Sequence, residues 1–488
     1  MLLQLLQSLY TSPGDALFRV VVALILLLGT AFAIAVQFGN SYRTRRSLKN
    51  LQNVGSVGSN MTDQYNPEFA LLPDAAVDGP IQIKALYLHP VKSCGPIEVN
   101  RALLTKTGFM YDRCFALATE NTDKDDAAIT TWRFISQRTK PLMSLVRTEI
   151  WIPHKGSDPN DPLVQSNGCV VMKFDDPDAP TWITRLDAFC QTWNPFATPE
   201  VSFIVPLQIA SYQTDKSKAD LKTFGIHSRD AMGLDFGVIP SVAAALPKLK
   251  RFLGIPEGQR FTIFKCTPDT LVRTDKNLAP LAHIGSPAVH GYTDQQPINI
   301  NSLSSVHAVS ALLPAENQPM NALRFRANIW ITNAPAFEEE NWKRYRILPK
   351  KGVTQPRAAV SPTISVVCRT SRCTMPNVNL DKGTFDTDIP LPEKKRGKPQ
   401  PSTTLVQHRT IETGNKSALG YLGMHCVPED SSLKMAEEQE LGLYVEVGDE
   451  IEIDVGEPNG YSVGMTLYES SPKLSRLMLG IFDDSDSV

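Results

Sequence analysis

Between residues 81 and 455 the chain returns again and again to short runs in which apolar and polar residues alternate. They are IQIKALYL from Ile81, LVRTEIWI at 145–152, CVVMKF from Cys169, RFTIFK from Arg260, RANIWIT from Arg326, TISVVC from Thr363 and LYVEVGDEIEIDV from Leu443. A period of two sends successive side chains to opposite faces, so runs of this length bounded by turn residues are expected as strands. In the last run Val445 and Val447, then Ile451 and Ile453, flank Gly448-Asp449, which predicts a hairpin. Helical spacing is rarer. APTWITRLDAFCQTW places Ile183, Leu186, Phe189, Cys190 and Trp193 on one face, and SLSSVHAVSALL does the same with Leu303, Val306, Ser310 and Leu313 behind a Ser302 cap. PSVAAALPKLKRFLG is expected to kink or split at Pro247. Strands in runs with a few inserted helices imply an α+β fold with barrel-like sheets, not alternating βα units.

The front of the chain differs. Between Arg19 and Arg43 no charge occurs, and residues 20–36 are almost wholly apolar, near the roughly 17–25 residues a membrane-spanning helix needs. Arg43, Arg45, Arg46 and Lys49 come at once after it, which orients a single-pass anchor with the long C-terminal part in the cytosol. A cleaved signal peptide is the rival, but its basic start is missing and the basic cluster lies on the wrong side. Residues 50–79 are polar and punctuated by Gly, Asn and Asp, and are expected to tether the folded part to the anchor.

The 488 residues suit two modules, and 49 basic against 51 acidic residues leave no cationic surplus for a nucleic-acid binder. Eight cysteines without regular spacing do not make a disulfide scaffold. No G-x-G-x-x-G, P-loop, H-E-x-x-H or G-x-S-x-G stretch occurs. The chain's distinguishing feature is polar residues placed where strands meet loops. YLHPVKSCGPIEV presents Lys92 and Ser93 just after a strand, GFMYDRCFAL offers Arg113, and RFRANIWIT brings in Arg326 and Asn328. A solvated turn or a local ion pair explains any one of these. Together they describe a socket for an anion, because guanidinium forks and ammonium groups suit phosphate and carbonyl oxygens. CRTSRC adds Cys368 and Cys373, open to a disulfide, a zinc site with His425-Cys426, a buried thiol or a single sulfur ligand.

In their order, HPVKSC, YDR, RANIWI, SRC and a terminal VGDEIEI resemble the MOSC-domain proteins, and among them the membrane-anchored amidoxime-reducing members of mitochondria. The resemblance spans residues 81–455. It implies a tail at 1–16, an anchor at 17–39, a basic segment and linker at 40–80, an N-terminal MOSC β-barrel-like domain at 81–285, a MOSC domain at 286–455 and a tail at 456–488. It also implies a molybdenum cofactor, Mo-molybdopterin, whose metal takes Cys373 as its protein ligand. Lys92, Ser93, Arg113, Arg326, Asn328, Ser371 and Arg372 would hold the pterin and its phosphate. Asp294 would orient substrate or deliver a proton, and Gln295 and Gln296, standing where hydroxyl residues are expected, would also bind the cofactor. The implied activity is reduction of N-hydroxylated small molecules, amidoximes and hydroxylamines. Electrons would come from a b-type cytochrome and its flavin reductase, at the mitochondrial outer membrane or the endoplasmic reticulum. The alternative is a non-catalytic carrier of the cofactor or of sulfur.

Overall fold

In the computed structural model, residues 16–122, 130–209, 221–226, 229–350, 359–389, 397–412 and 419–454 are described. They fall into two units, one built from 1–53, 151–213 and 239–256 and the other from 54–150, 214–238 and 257–488. The stretch 81–285, expected as one domain, thus contributes to both.

The alternating runs of the larger unit form two barrels. Its strands are β1 (Ile81–Leu88), β2 (Ile97–Val99), β3 (Phe115–Thr122), β4 (Thr130–Phe134), β5 (Leu221–Ile226), β6 (Arg229–Asp235), β7 (Phe261–Lys265), β8 (Ile298–Ser302), β9 (Ile329–Thr332), β10 (Arg344–Leu348), β11 (Thr363–Ser371), β12 (Tyr421–Pro428) and β13 (Glu450–Asp454). One eight-stranded sheet runs β9-β8-β12-β11-β10-β13-β1-β2, and pairing of β9 with β1 closes the ring. Closure removes the exposed edges that would otherwise template aggregation. Trp330 of β9 is fully buried in a core with Leu303, Val306 and Val309 from the helix Leu303–Ser310 and Leu422 of β12. The Ser302 hydroxyl caps that helix by accepting from Ser304 N at 3.2 Å. The second barrel, β5-β6-β7-β3-β4, is also closed and packs Phe224 against Phe264 at 4.6 Å between ring centres.

β11 departs from regular pairing where it matters. Its register with β12 slips between Val366 and Cys368 and again between Arg369 and Ser371, and such bulges bend a strand and re-aim the residues beyond them. Here those residues are Arg372 and Cys373. Gly423 lies opposite the second slip with φ +75°, and a Cβ there would sit 1.7 Å from Asn301 Oδ1.

Strands Leu51–Asn53, Arg147–Pro153, Cys169–Asp175 and Glu200–Pro206, which belong to the smaller unit apart from residues 147–150, form a sheet in that order. Helices Ala16–Phe38, Asn40–Ser47, Trp182–Thr192 and Pro240–Phe252 accompany it. The helix Ala16–Phe38 carries exposed Val20, Leu24, Ile25, Leu26, Leu27 and Leu28. Among the described residues no helix is long and apolar enough to cross a membrane.

Three expectations need correction. The Gly448-Asp449 turn exists, but its flanks part: Tyr444–Glu446 pairs with Arg101–Thr105 while β13 pairs with β10 and β1, so there is no hairpin. Asp449 stabilises the turn through its carboxylate, which accepts from Glu446 N and Lys350 N. The polar stretch after the apolar helix is not a bare tether, because Leu48, Leu51 and Met61 are buried in the two cores. Sparse apolar residues there anchor the chain without a periodic pattern. Pro247 sits inside one continuous helix, Pro240–Phe252. Residues 390–396, at the centre of the basic, proline-rich stretch 386–404, and the tail 456–488 lie outside the described residues.

Gly423→Ala should cost on the order of 1–3 kcal/mol by overpacking alone, read as a lowered denaturant midpoint. A midpoint equal to that of the unaltered chain would contradict this account of the bulge.

Candidate functional site

β1 ends at His89-Pro90, and the chain turns so that Lys92 N donates to Phe115 O at 2.7 Å. This buries the Lys92 side chain, whose Nζ donates to Tyr292 O at 2.8 Å and pairs with the half-exposed carboxylate of Asp294. Ser93 (φ 68°), Arg113 (φ 48°) and Arg326 (φ 53°) all adopt the left-handed backbone that non-glycine residues avoid. Three such residues around one pocket are the kind of strain that accumulates at functional sites.

Arg113 pairs with buried Asp112 and donates from Nη2 to Arg326 O at 2.9 Å and from Nη1 to Asn328 Oδ1 at 3.4 Å. Asp112 in turn accepts from His89 N at 2.8 Å. Arg326 Nη1 donates to Cys94 O at 2.8 Å. Asn328 Nδ2 donates to Tyr87 O at 3.2 Å, while its Oδ1 accepts from Asn299 N at 3.2 Å. Arg372 donates to Leu422 O and Phe325 O, each at 2.8 Å, and to Asn299 Oδ1 at 3.3 Å. One residue on, the partly exposed Cys373 accepts at Sγ from Met375 N at 3.4 Å.

Burial pulls down the pKa of three cations in this group. Lys92 is lowered by burial although Asp294 opposes the shift, Arg326 falls to about 10 and Arg372 to about 9. These two arginines therefore remain charged at neutral pH. For Asp112 burial pushes up, yet the Arg113 charge and the His89 bonds prevail and hold it down at about 2. Burial, reinforced by Arg372, depresses His425 to about 3. Burial with Arg326 and Arg113 does the same to His89, also about 3. The result is a positive pocket suited to an oxygen-rich anion.

All eight cysteines are free, which removes the Cys368–Cys373 disulfide. Burial pushes Cys368 up to about 12, a thiol without ligating character at neutral pH. Among the described residues no group of three or more His, Cys, Asp or Glu is placed to hold a metal ion, so the zinc reading of Cys368, Cys373, His425 and Cys426 is not supported.

Lys92, Arg113, Arg326, Arg372, Asp294 and, through Arg372, Cys373 are brought together. The others fare differently. Ser371 is exposed, on a strand end whose side chains alternate with the buried Thr370 and Arg372. Gln295 accepts at its carbonyl from Thr274 Oγ1 at 3.3 Å. Gln296 faces the 276–277 loop, donating to Lys276 O at 3.3 Å and Asn277 O at 3.0 Å. Asn328 and Arg372 spend their donors on the protein, which makes them positioning residues. Arg229 is a member that the sequence motifs do not single out: it opens β6 and donates from Nη2 to Gly291 O at 3.1 Å and Thr293 O at 3.0 Å. It too is a cation at a loop-to-strand junction, the signal that picks out the others.

The MOSC N-terminal beta barrel domain matches residues 81–173 and the MOSC domain residues 287–452. The chain is a MOSC-domain protein. No curated protein matches it. MOSC domains are associated with molybdenum-cofactor-binding proteins. The residues present fit that group on their own terms: Ser93 Oγ and Arg326 Nη2 are buried with no hydrogen-bond partner among the described residues, and Cys373 is a partly exposed free thiol. Leaving such donors unmade costs about 1–3 kcal/mol each, so native folds rarely do it without a ligand or water to receive them.

The buried imidazoles give this MOSC-domain protein an acid limit. Their folded pKa values lie below the unfolded value near 6.5, so below about pH 6.5 the unfolded chain takes up protons that the folded chain refuses. Stability is complete above that pH and drains as pH falls toward about 3, the folded value of His425. The thermal midpoint should drop between pH 7 and pH 5, and less steeply in His425→Gln. Equal slopes would contradict the assignment.

Proposed function

We propose that this MOSC-domain protein is a molybdenum-cofactor-dependent oxidoreductase that reduces N-hydroxylated small molecules. The observation that carries the reading is the placement of Cys373: a partly exposed sulfur one residue beyond a pinned guanidinium, at the edge of a pocket of cations with unbonded donors. Thiolate is the soft donor appropriate to a metal already bound by dithiolene sulfur. When bound, the cofactor would supply two-electron redox chemistry at the metal.

The chain's own residues would do the rest. Lys92, Ser93, Arg113 and Arg326 would hold the phosphate and the polar edge of the pterin. Asp294, half exposed and oriented by Lys92, would present a carboxylate to the substrate and pass a proton to the departing oxygen. The overall change consumes two electrons and two protons, converting N–OH to N–H and releasing water. A separate donor would provide the electrons, a b-type cytochrome with its flavin reductase. The exposed apolar side chains of Ala16–Phe38, with Arg43, Arg45 and Arg46 just beyond, support attachment to a membrane, with the mitochondrial outer membrane proposed first and the endoplasmic reticulum second. Attachment would raise the effective concentration of a donor on the same surface.

Purified full-length protein supplied with cofactor, an artificial electron donor and benzamidoxime should turn over. Cys373→Ala should lose at least about a hundredfold in kcat, in keeping with removal of a group that acts at the reacting centre. Cofactor bound without turnover would indicate the carrier, and an active Cys373→Ala protein would contradict the proposal.

A further inference from the structure

The helix Trp182–Thr192 is turned the wrong way round for a protein surrounded by water. Its buried residues are Asp187 and Ala188, while Trp182 and the following Trp193 are 59% and 80% exposed. At about 100° per residue, Trp182, Leu186, Phe189 and Trp193 fall within about 60° of one another, with Asp187 and Ala188 on the far side. The rings of Phe189 and Trp193 meet edge to face at 5.8 Å between centres, so the stripe is continuous at this end. A surface helix buries its apolar stripe and exposes its charges. Just beyond, the Asn194 carboxamide accepts from Phe196 N at 2.9 Å, a local turn that leaves the Phe196 ring 91% exposed.

The neighbours of this stripe say what covers it. Asp187 Oδ2 accepts from Ser41 N at 3.2 Å, which fastens the middle of Trp182–Thr192 to the start of Asn40–Ser47, and the apolar helix Ala16–Phe38 packs alongside. On Ala16–Phe38 the consecutive residues Leu24, Ile25, Leu26, Leu27 and Leu28 are all exposed. Five successive positions sweep the whole circumference of a helix, so a second copy of the chain, covering one side, would leave part of them in water. A lipid phase surrounds them all. Asn40–Ser47 contains no acidic residue, and its Arg43, Arg45 and Arg46 are exposed, as is Lys49 just after it, the charge that an anionic headgroup layer attracts. Trp182 and Trp193 thus lie beside the junction of an apolar helix and a basic one, the level at which tryptophan collects, its ring in hydrocarbon and its N–H among headgroups.

We propose that the stripe of Trp182, Leu186, Phe189 and Trp193, with Phe196, lies in the headgroup–acyl boundary of a bilayer containing anionic lipid. This contact rests on the membrane attachment given under the proposed function, and it fixes how the smaller unit is turned against the surface.

Full-length protein is reconstituted into vesicles of phosphatidylcholine and phosphatidylserine, with and without phosphatidylcholine brominated high on its acyl chains. Tryptophan emission is read for the unaltered protein, Trp182→Phe, Trp193→Phe and the double variant. Of the chain's six tryptophans, Trp330 and Trp342 are buried and Trp132 and Trp151 half-buried, so bromine should act mainly on Trp182 and Trp193. The quenched fraction of the unaltered protein should fall by half or more in the double variant, with each single variant between. Bromine near the ends of the acyl chains should quench less. Phenylalanine keeps the stripe apolar, so all four proteins should unfold at one midpoint, which separates a lost reporter from a damaged fold. Equal quenched fractions in the unaltered and doubly substituted proteins would overturn the proposal, and so would stronger quenching by bromine near the chain ends.

Flotation of the same samples on a density gradient separates this contact from the attachment on which it rests. Protein that floats with the vesicles while these two residues escape bromine keeps the attachment and loses the stripe. Protein that does not float removes both.

Discussion

A guanidinium bonded to neutral oxygens holds the pocket together. Arg372 reaches from the end of β11 to the carbonyls of Leu422 and Phe325 and to the side chain of Asn299, so a single buried cation ties together β12, the turn before β9 and the start of β8. Hydrogen bonds from a charged donor contribute roughly 1.5–3 kcal/mol apiece, and in a buried site they also fix direction. With Arg372 fixed, Cys373 has little freedom in where its sulfur lies. The double slip of β11 against β12 makes this possible, because regular pairing would have carried the strand past the pocket instead of delivering its end into it.

The same logic runs through the other members. Arg113 is supported from below by Asp112, which is itself bonded by His89, and Lys92 is balanced by Asp294. These cations thus have local support, yet among the described residues Ser93, Arg229, Thr293 and Arg326 retain buried donors without partners. A pocket designed only for stability would not be built this way, since unmade bonds and left-handed backbone at Ser93, Arg113 and Arg326 all cost free energy. The arrangement is intelligible as a preorganised host for an anion.

Much of this is legible in the sequence, and the limits have physical causes. Period-two alternation in the sequence marks β1, β11 and several strands between them, although in the fold β1 buries Ala85 to Leu88 in succession, and the helices Trp182–Thr192 and Leu303–Ser310 announce themselves by spacing and a Ser302 cap. Alternation cannot say which strand pairs with which, so Val445 to Ile453 looks like a hairpin although its halves join different sheets. Lys92, Arg113 and Arg326 are visible as cations at strand ends. Arg229 obeys the same rule but is hidden by a less regular neighbourhood. Ser371 lies exposed between the buried Thr370 and Arg372, as successive residues of a strand face opposite sides. Gln296 gives its Nε2 to the neighbouring loop 276–277, while its Oε1 is buried without a hydrogen-bond partner among the described residues.

Under the proposed function, the sulfur at a pinned strand end would be presented to a metal whose anionic cofactor the surrounding cations would hold. X-ray absorption at the molybdenum edge of the full-length protein, compared with Cys373→Ala, tests this most directly. The expected result is a protein sulfur in the metal's coordination shell that disappears in the variant. An unchanged sulfur count, or a purified protein that takes up no molybdenum when offered the cofactor, would contradict it.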